Sequence, residues 1–373
     1  MPMEINILDK KIDENSPVLI IAEAGVCHDG DIKKAKKLVD IAKEAGVDIV
    51  KFQTWITEEL CLPETKKAEY QKEQTGENES QFEMIKKLEL SYEEFSELKK
   101  YCDKKKMIFM STPDEEKSAN FLINDLNMCA IKIGSGELTN HQYINFLASF
   151  NKPTIVSTGM SRIGEIKKAK DIIFNKGNKN VIFLHCTTDY PTKYEDVNLN
   201  AMLTMKKNLN TLVGYSDHTE GIYVSLVAIA LGATVIEKHF TYDRHAFGPD
   251  HRASLSPTEL KEMIQEIRNL EKLPKEQRIT YVKKRIGERL FDLIAGSFDK
   301  KPTERETKNR PIVQKSIVAR KNLPVGTILQ EKDLIMKRAD ARGISADKYE
   351  TIIGKEIKKN IEQNRIITFE DLK

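Results

Sequence analysis

The sequence lacks several features that would assign a protein to a particular compartment. Its five cysteines form no CxxC pair. An odd number without a pattern suits reduced thiols in a cytoplasm better than the disulfides of a secreted protein. The first residues, MPMEINILDK, lack the apolar stretch of a secretory signal, and no apolar run elsewhere is long enough for a membrane helix. We therefore expect a cytoplasmic protein that does not span a membrane.

An excess of charge of one sign is also missing. The 60 lysines and arginines are balanced by 57 aspartates and glutamates, which leaves a net charge of +3. Such a balance provides no broad basic field, so we expect no nucleic-acid partner. Small anionic substrates remain possible, because a few local cations are enough to bind them.

Apolar periodicity predicts the main domain. The chain of 373 residues is long enough for a domain of about 250 residues and a smaller one. From Pro17 to about Leu273, eight short apolar runs rich in Val and Ile alternate with amphipathic helical segments, which predicts an α/β fold of the (β/α)8 TIM-barrel type. An open doubly wound sheet is the alternative, and the regular spacing of eight strands makes it less favoured. The predicted strands span 18–25, 47–54, 107–112, 128–135, 153–159, 180–187, 211–217 and 233–240.

The segments outside the barrel differ in composition. Residues 3–16 predict a short hairpin before the first barrel strand. Residues 276–313 are polar and basic with two prolines, which predicts a linker that is partly helical and partly mobile. Residues 314–373 contain short strand patterns and a Pro-Val-Gly turn, which predicts a small β-rich domain. The predicted division is therefore 1–275, 276–313 and 314–373.

Polar residues cluster at the predicted C-terminal ends of the barrel strands, where catalytic groups of such barrels lie. Two lysines, together with hydroxyl groups and glycine-exposed amides, predict a site for a ligand that carries both a phosphate and a carboxylate. Ordinary loop chemistry explains any one of these residues, but it explains the whole set poorly. The lysines are Lys51 and Lys132, and the small hydroxyls at the strand ends are those of Ser111, Thr112, Ser135, Ser157, Thr158, Thr187, Thr188 and Ser216.

Two histidines at the ends of adjacent strands suggest a metal site. His218 and His239 could converge on one divalent cation, and imidazole nitrogens with water suit manganese. Asp217 and Glu237 could then orient the imidazoles. A pair of histidines is a weak signal, since hydrogen-bonded histidines in the barrel mouth have the same pattern.

Two glutamates also end barrel strands. Glu23 follows the first strand and Glu137 the fourth. They could move protons or bind sugar hydroxyls, and our choice for the proton carrier is Glu137. Salt bridges at the barrel rim are an equally good interpretation of either residue alone.

Several motifs occur in a fixed order along the chain. In the barrel they are IAEAGVCHDGDIKKAKKLVDIAKEAG, VKFQT, STPD, IKIGSGELTN, STGM, LHCTTDYPT, VGYSDHTEG and IEKHFTYDRHAFGPDHRAS. Together they resemble the sialic acid synthase family, which includes N-acetylneuraminate and legionaminate synthases. The tail SIVARKNLPVGTILQEKDLIMKRADARGIS resembles the family's antifreeze-like (SAF) domain. The resemblance covers nearly the whole chain, apart from the segment around 275–312.

The resemblance implies a role for each matching position. Phosphoenolpyruvate would be held by Lys51, Thr112, Lys132, Ser135, Ser157, Thr188 and Ser216, with Thr188 where some members have an asparagine. The metal would be held by His218 and His239. The sugar would contact Gln53 and Tyr190, together with the aspartate and arginine described next.

The remaining implied contacts involve loops outside the strand ends. Asp250 matches a sugar-contacting residue, and Glu23 and Glu137 would lie close by. The family is typically a domain-swapped homodimer, in which the tail domain of one chain caps the barrel of the other. Arg338 matches the arginine that this domain delivers to the N-acetyl group of the sugar.

The chain departs from the family pattern at several positions. Cys27 stands where asparagine is usual, and Asp114 stands where phenylalanine usually follows Ser-Thr-Pro. After Arg338, Ala339 and Asp340 replace the usual Pro-Gly. These departures leave the implied reaction class unchanged and bear on the choice of sugar.

The implied reaction is the condensation of phosphoenolpyruvate with N-acetylmannosamine, or a related acetamido sugar, and water. The products would be N-acetylneuraminate, or a related nonulosonate, and phosphate. A 2,4-diacetamido-2,4,6-trideoxy sugar, which would give legionaminate, is a close alternative. A phosphorylated sugar is another, which Arg244 and Arg252 in an outer loop support only weakly. A carbohydrate-binding protein without activity is the non-enzymatic alternative, against which the intact lysines and histidines argue.

Overall fold

The computed structural model describes residues 3–339 and 343–373. The chain begins with the predicted hairpin, in which β1 (Ile5–Ile7) pairs antiparallel with β2 (Lys10–Ile12). Three isoleucines of this hairpin pack against apolar residues from the beginnings of the barrel strands. The hairpin therefore closes the N-terminal end of the barrel and leaves the opposite end for the site.

The barrel consists of eight parallel strands, and the sequence-based prediction of a TIM barrel is confirmed. The strands are hydrogen-bonded in the order β5-β4-β3-β10-β9-β8-β7-β6. Strands β5 and β6 lie next to each other at the ends of this series, so the barrel is nearly closed. The strands are β3 (Leu19–Gly25), β4 (Ile49–Thr54), β5 (Ile108–Pro113), β6 (Ile131–Ile133), β7 (Thr154–Ser157), β8 (Val181–Cys186), β9 (Leu212–Asp217) and β10 (Val235–His239).

Helices surround the barrel because each presents one apolar face to the strands. Helix α1, for example, is capped by the side chain of Asp31, and α11 is capped by Ser256 and begins with Pro257. The helices of the barrel region are α1 (Ile32–Ala45), α2 (Thr57–Leu60), α3 (Glu69–Thr75), α4 (Gln81–Leu88), α5 (Tyr92–Lys104), α6 (Glu116–Asn120), α7 (His141–Ala148), α8 (Ile163–Asn175), α9 (Asn200–Leu209), α10 (Tyr223–Ala230) and α11 (Pro257–Glu271). Short 3₁₀ or π turns span 121–125, 135–137, 194–196, 331–333, 346–348 and 369–371.

The segment 276–313, interpreted from sequence as a linker, consists largely of three helices. They are α12 (Lys275–Ile286), α13 (Glu288–Ala295) and α14 (Glu304–Val313). Helices α12 and α13 pack against α10, and α14 lies against loops at the barrel mouth. The predicted boundaries of the three regions remain a prediction.

The C-terminal region has a hydrophobic core of its own. Strand β11 (Lys315–Ala319) pairs antiparallel with β12 (Leu334–Arg338), and the short helix α15 (Tyr349–Ile352) packs on the same core. The region contacts the barrel mouth, where the main-chain amide of Leu62 and the hydroxyl of Thr65 both donate hydrogen bonds to the carbonyl oxygen of Arg338. Across the described residues, no helix combines the length and the apolar character that a membrane crossing requires.

Candidate active site

All fifteen site residues that the sequence predicted line one cavity at the C-terminal ends of the barrel strands. Strand geometry explains this convergence, since successive side chains point to opposite faces of a strand. In β4, Phe52 packs outward in the main core, whereas Lys51 and Gln53 face the cavity. Position in the cavity does not by itself assign a role, so the individual roles of these residues remain predictions.

Two lysines and two carboxylates form a buried charge cluster in this cavity. The Nζ atom of Lys51 lies 2.6 Å from Oε2 of Glu23 and 3.7 Å from Oε2 of Glu237. The Nζ atom of Lys132 lies 3.4 Å from Oε1 of Glu237. Neighbouring carboxylates therefore hold both lysine side chains in place, and both still line the cavity.

The cluster changes the proton affinities of its members. Burial raises the pKa of Glu23 to about 7, even though Lys51 opposes this change. Burial would also raise the pKa of Glu237, but Lys132 and Lys51 outweigh burial and lower it. Burial lowers the pKa of Lys132, whereas the carboxylates of Glu23 and Glu237 overcome burial and raise the pKa of Lys51. Glu23 is thus the carboxylate that can carry a proton near neutral pH.

Hydroxyl groups and a glycine complete the region around the lysines. Lys132 donates to the hydroxyl of Ser157 at 2.7 Å, and the amide of Gly159 donates to the hydroxyl of Ser135 at 3.0 Å. A Cβ atom at position 159 would lie 2.1 Å from Oγ1 of Thr188 and 2.9 Å from Oγ of Ser135, so only glycine fits there. The buried Thr188 hydroxyl has no hydrogen-bond partner in the described structure, which leaves it free for a ligand.

Helix α14 contributes a residue to this region that the sequence did not reveal. Glu306, which is 1% exposed, accepts hydrogen bonds from the amides of Met160 and Thr188 at 2.6 and 2.9 Å. Asn309 donates to the carbonyl oxygen of Thr188 at 3.0 Å. The loops after β7 and β8, which carry part of the predicted anion site, are therefore fixed by the segment that was interpreted as a linker. No short motif signals these contacts, because they join residues more than a hundred positions apart.

The two predicted metal ligands lie side by side in the cavity. The ring centroids of His218 and His239 are 5.6 Å apart, and the Tyr190 ring packs against both at 4.1 and 5.7 Å. The Nδ1 atom of His218 lies 2.7 Å from the carbonyl oxygen of Thr187, which fixes a tautomer with an unprotonated Nε2. Burial lowers the pKa of His218 to about 4 and that of His239 well below its usual range, so both imidazoles are neutral.

These features fit a divalent cation. The buried Nδ1 atom of His239 has no hydrogen-bond partner in the described structure, and it lies 3.7 Å from Oδ2 of Asp250. Residues 3–339 and 343–373 contain no group of three or more His, Cys, Asp or Glu side chains placed to hold a metal. Two protein nitrogens would therefore leave most coordination positions to water or substrate, as an open catalytic site requires.

The sequence-based role of Asp217 is wrong. Asp217 pairs with Lys238 at 3.1 Å and accepts hydrogen bonds from Thr219 and Ser225. Its neighbour Ser216 faces the cavity, and alternation along the strand turns Asp217 away. The same alternation places Glu237, the other carboxylate expected to orient an imidazole, inside the cavity, where it contacts both lysines and accepts a hydrogen bond from the Ser216 hydroxyl.

The mouth of the cavity is lined partly by the C-terminal region. The Nζ atom of Lys315 lies 2.8 Å from Oε1 of Glu137 and donates to the carbonyl oxygen of Asp114 at 2.6 Å. Arg338 lines the cavity of its own chain. The predicted loop after Arg338 lies outside the described residues from position 340, and domain exchange between two chains remains a prediction. Further lining residues that the sequence did not single out are Trp55, Tyr70, Gln81 and Val313.

A (β/α)8 barrel with a buried, charged cavity at the C-terminal ends of its strands has the architecture in which barrel enzymes place their active sites. The chain belongs to the NeuB family, which residues 38–278 match. Residues 314–373 match the SAF domain, in agreement with the resemblance of the tail.

Individual relatives match over nearly the full length. The chain is 44% identical to N,N'-diacetyllegionaminic acid synthase of Campylobacter jejuni, over 94% of this chain and 98% of that protein. It is 40% identical to the Legionella pneumophila protein of the same name, over 95% and 94%. The crystal structure of spore coat polysaccharide biosynthesis protein SpsE from Bacillus subtilis superimposes with a TM-score of 0.81 at 30% identity, covering 100% of this chain and 99% of that one.

Proposed function

We propose that this protein condenses phosphoenolpyruvate with 2,4-diacetamido-2,4,6-trideoxymannose and water to give N,N'-diacetyllegionaminate and phosphate. The observation that supports the reaction is one cavity that holds two buried lysines, several hydroxyl groups and two neutral imidazoles. The choice of sugar follows from the two relatives described above, both of which are named N,N'-diacetyllegionaminic acid synthase. N-acetylmannosamine, the default sugar expected from the sequence, becomes the alternative.

In this proposal the lysine cluster binds phosphoenolpyruvate. Lys51 and Lys132 neutralise its phosphate and carboxylate, and their low exposure strengthens each contact because water is excluded. The hydroxyls of Ser135, Ser157 and Thr188 supply hydrogen bonds to the remaining oxygens. Glu237 keeps the lysines apart and charged until the substrate arrives.

The proposed reaction joins C3 of phosphoenolpyruvate to the aldehyde carbon of the open-chain sugar. Water adds at C2, and the bond between C2 and the bridging phosphate oxygen breaks, so that a 2-keto acid and inorganic phosphate form. The protein's contribution is to hold the two reacting carbons within about 3–3.5 Å of each other. A divalent cation such as manganese, held by His218 and His239, would supply Lewis-acid polarisation of the aldehyde oxygen.

The aldehyde oxygen must gain a proton as it becomes a hydroxyl group. Glu23 is the better carrier of this proton, because its raised pKa of about 7 lets it hold one near neutral pH. Glu137, our choice from the sequence, is held between the ammonium of Lys315 and the amide of Asn140 at 2.8 Å each. Both contacts hold the Glu137 carboxylate at the mouth of the cavity, next to the C-terminal region.

The phosphorylated-sugar alternative gains no support from the outer loop. Arg244 forms an ion pair with Glu259, and neither Arg244 nor Arg252 lines the cavity. The sugar end of the proposed site instead contains Gln53, Tyr190, Asp250 and Arg338. We also propose the domain-swapped homodimer that the resemblance implies, and a cytoplasmic location remains our expectation.

A comparison of three sugars tests the proposed function. Phosphate release would be measured with phosphoenolpyruvate, manganese and either the diacetamido sugar, N-acetylmannosamine or N-acetylmannosamine 6-phosphate. We expect kcat/KM for the diacetamido sugar to exceed the other two by at least about tenfold, since an unfilled hydrogen-bonding position is costly. A higher value for N-acetylmannosamine would overturn the choice of sugar. Ligand binding without phosphate release from any sugar would favour the carbohydrate-binding alternative.

The Lys132→Met variant tests the anion site. A charge-assisted contact in a shielded site contributes roughly 1.5–3 kcal/mol, so the affinity for phosphoenolpyruvate should fall at least about tenfold. Isothermal titration would measure it, and a thermal melt would show whether the fold survives the loss of the contact with Glu237. Lys207→Met, an exposed lysine of α9, is the matched control. Unchanged affinity in a folded Lys132→Met protein would place phosphoenolpyruvate elsewhere.

A further inference from the structure

A carboxylate without a partner lies in the cavity near the C-terminal region. Asp114 follows β5, and its main chain is fixed at both ends, since its amide donates to the carbonyl oxygen of Thr54 at 3.0 Å and its own carbonyl accepts from Lys315. Its side chain lines the cavity and makes no hydrogen bond or ion pair within the described part of the chain. The carboxylate therefore lies in the cavity without a contact from any of residues 3–339 or 343–373.

The surroundings of Asp114 contain both signs of charge. Burial raises the pKa of Asp114 to about 6, which Arg338, Lys315 and Lys51 oppose and Glu137 reinforces. Such a group is costly to leave without a hydrogen bond, so a ligand that donates one to it would gain affinity.

Arg338 lines the same cavity, and one of its side-chain donors is not used within the described residues. Its buried Nε–H makes no hydrogen bond in the described structure. The guanidinium and the carboxylate of Asp114 do not form an ion pair with each other, although the guanidinium opposes the rise in the pKa of Asp114. The cavity mouth thus offers a planar set of donors and, separately, one acceptor.

The chemistry that matches this pair is a secondary amide. Its carbonyl oxygen accepts hydrogen bonds, which suits Arg338, and its N–H group donates one, which suits Asp114. The carbonyl oxygen and the N–H of an amide point in opposite directions. An amide could therefore bind between Arg338 and Asp114, which do not contact each other. A phosphate in this position would instead meet a carboxylate and be repelled.

We propose that Asp114 is a specificity-determining residue that accepts a hydrogen bond from the N–H of an acetamido group on the sugar and disfavours sugars phosphorylated near that position. This inference rests on the proposed function, because it assumes that the cavity binds an acetamido sugar. A contact of this kind would explain why acidic Asp114 lies in the same cavity as the proposed phosphoenolpyruvate site.

The test compares amide and ester groups in the substrate. Replacing one acetamido group of the sugar by an acetoxy group removes the N–H and keeps the carbonyl oxygen. For one of the two such analogues of the diacetamido sugar, the wild-type protein should show kcat/KM lower by about tenfold or more. In Asp114→Leu that preference for the amide should fall below about twofold.

Two further variants test whether the effect comes from the hydrogen bond of Asp114, and not from unfolding or from the loss of its charge. Asp114→Asn keeps an acceptor oxygen and removes the charge, so it should keep most of the amide preference and use the 6-phosphorylated sugar better than wild type does. Asp114→Ala replaces Asp114→Leu if a thermal melt shows that the leucine variant is unfolded. An amide preference that survives in the folded leucine or alanine variant, for both analogues, would overturn the proposal. Absence of phosphate release by the wild type with every sugar would instead overturn the proposed function.

Discussion

His218→Ala and His239→Ala should each abolish phosphate release while the barrel remains folded. The physical reason is that a divalent cation needs both imidazoles, since the described residues offer no third side chain placed to replace a lost ligand. Chelation of the wild-type protein should have the same effect, and manganese should restore activity. Turnover would be followed by phosphate release, metal content by elemental analysis, and folding by thermal melts.

A matched control separates loss of metal from loss of a histidine. His141 begins α7 and does not line the cavity, so His141→Ala should keep wild-type turnover and metal content. Full activity in a protein that elemental analysis shows to be free of divalent metal would remove the Lewis-acid role. In that case the two imidazoles would be neutral hydrogen-bonding groups of the cavity.

Arg338→Ala should reduce activity almost completely, and mixing it with His218→Ala should restore part of it. The expectation follows from the proposed domain-swapped dimer, in which the arginine of one chain serves the barrel of the other. A heterodimer then has one site with both defects and one with neither. Equal mixing gives heterodimers in about half of all dimers, so roughly a quarter of wild-type activity should return.

The alternative to domain exchange is that Arg338 acts within its own chain. In the single chain Arg338 lines its own cavity, so the proposed dimer requires the C-terminal region to exchange between two chains. If verified subunit exchange restores no activity, Arg338 serves its own barrel. Arg338→Lys is the matched variant, since it keeps the charge and loses the planar donors, and it should recover only a small part of the loss.

Local patterns were sufficient to predict much of the site. Near-continuous apolar runs identified all eight barrel strands, because strands buried on both faces need such runs. Knowing that catalytic groups lie at the C-terminal ends then selected Lys51, Lys132, His218 and His239 without any structural information. These inferences succeed because alternation along a strand and the direction of parallel strands depend only on neighbouring residues.

The same reasoning failed where it ignored that alternation. Asp217 is next to His218 in sequence, yet it points away from the cavity to Lys238. Glu237, which the sequence analysis expected to orient an imidazole, instead lies between the two lysines. Adjacent residues of a strand lie on opposite faces, so proximity in sequence misleads at this point.

By itself, the sequence determined the barrel, its strand positions, the C-terminal region and the set of polar residues at the strand ends. Only the tertiary structure decided that Glu306 holds the amides of Met160 and Thr188, that Lys315 pairs with Glu137, and that no described residue pairs with the carboxylate of Asp114. The physical reason is that the first group of features follows from short-range periodicity and burial. The second depends on how α14 and the C-terminal region pack on a barrel that is distant in sequence, and that packing leaves no periodic pattern to read.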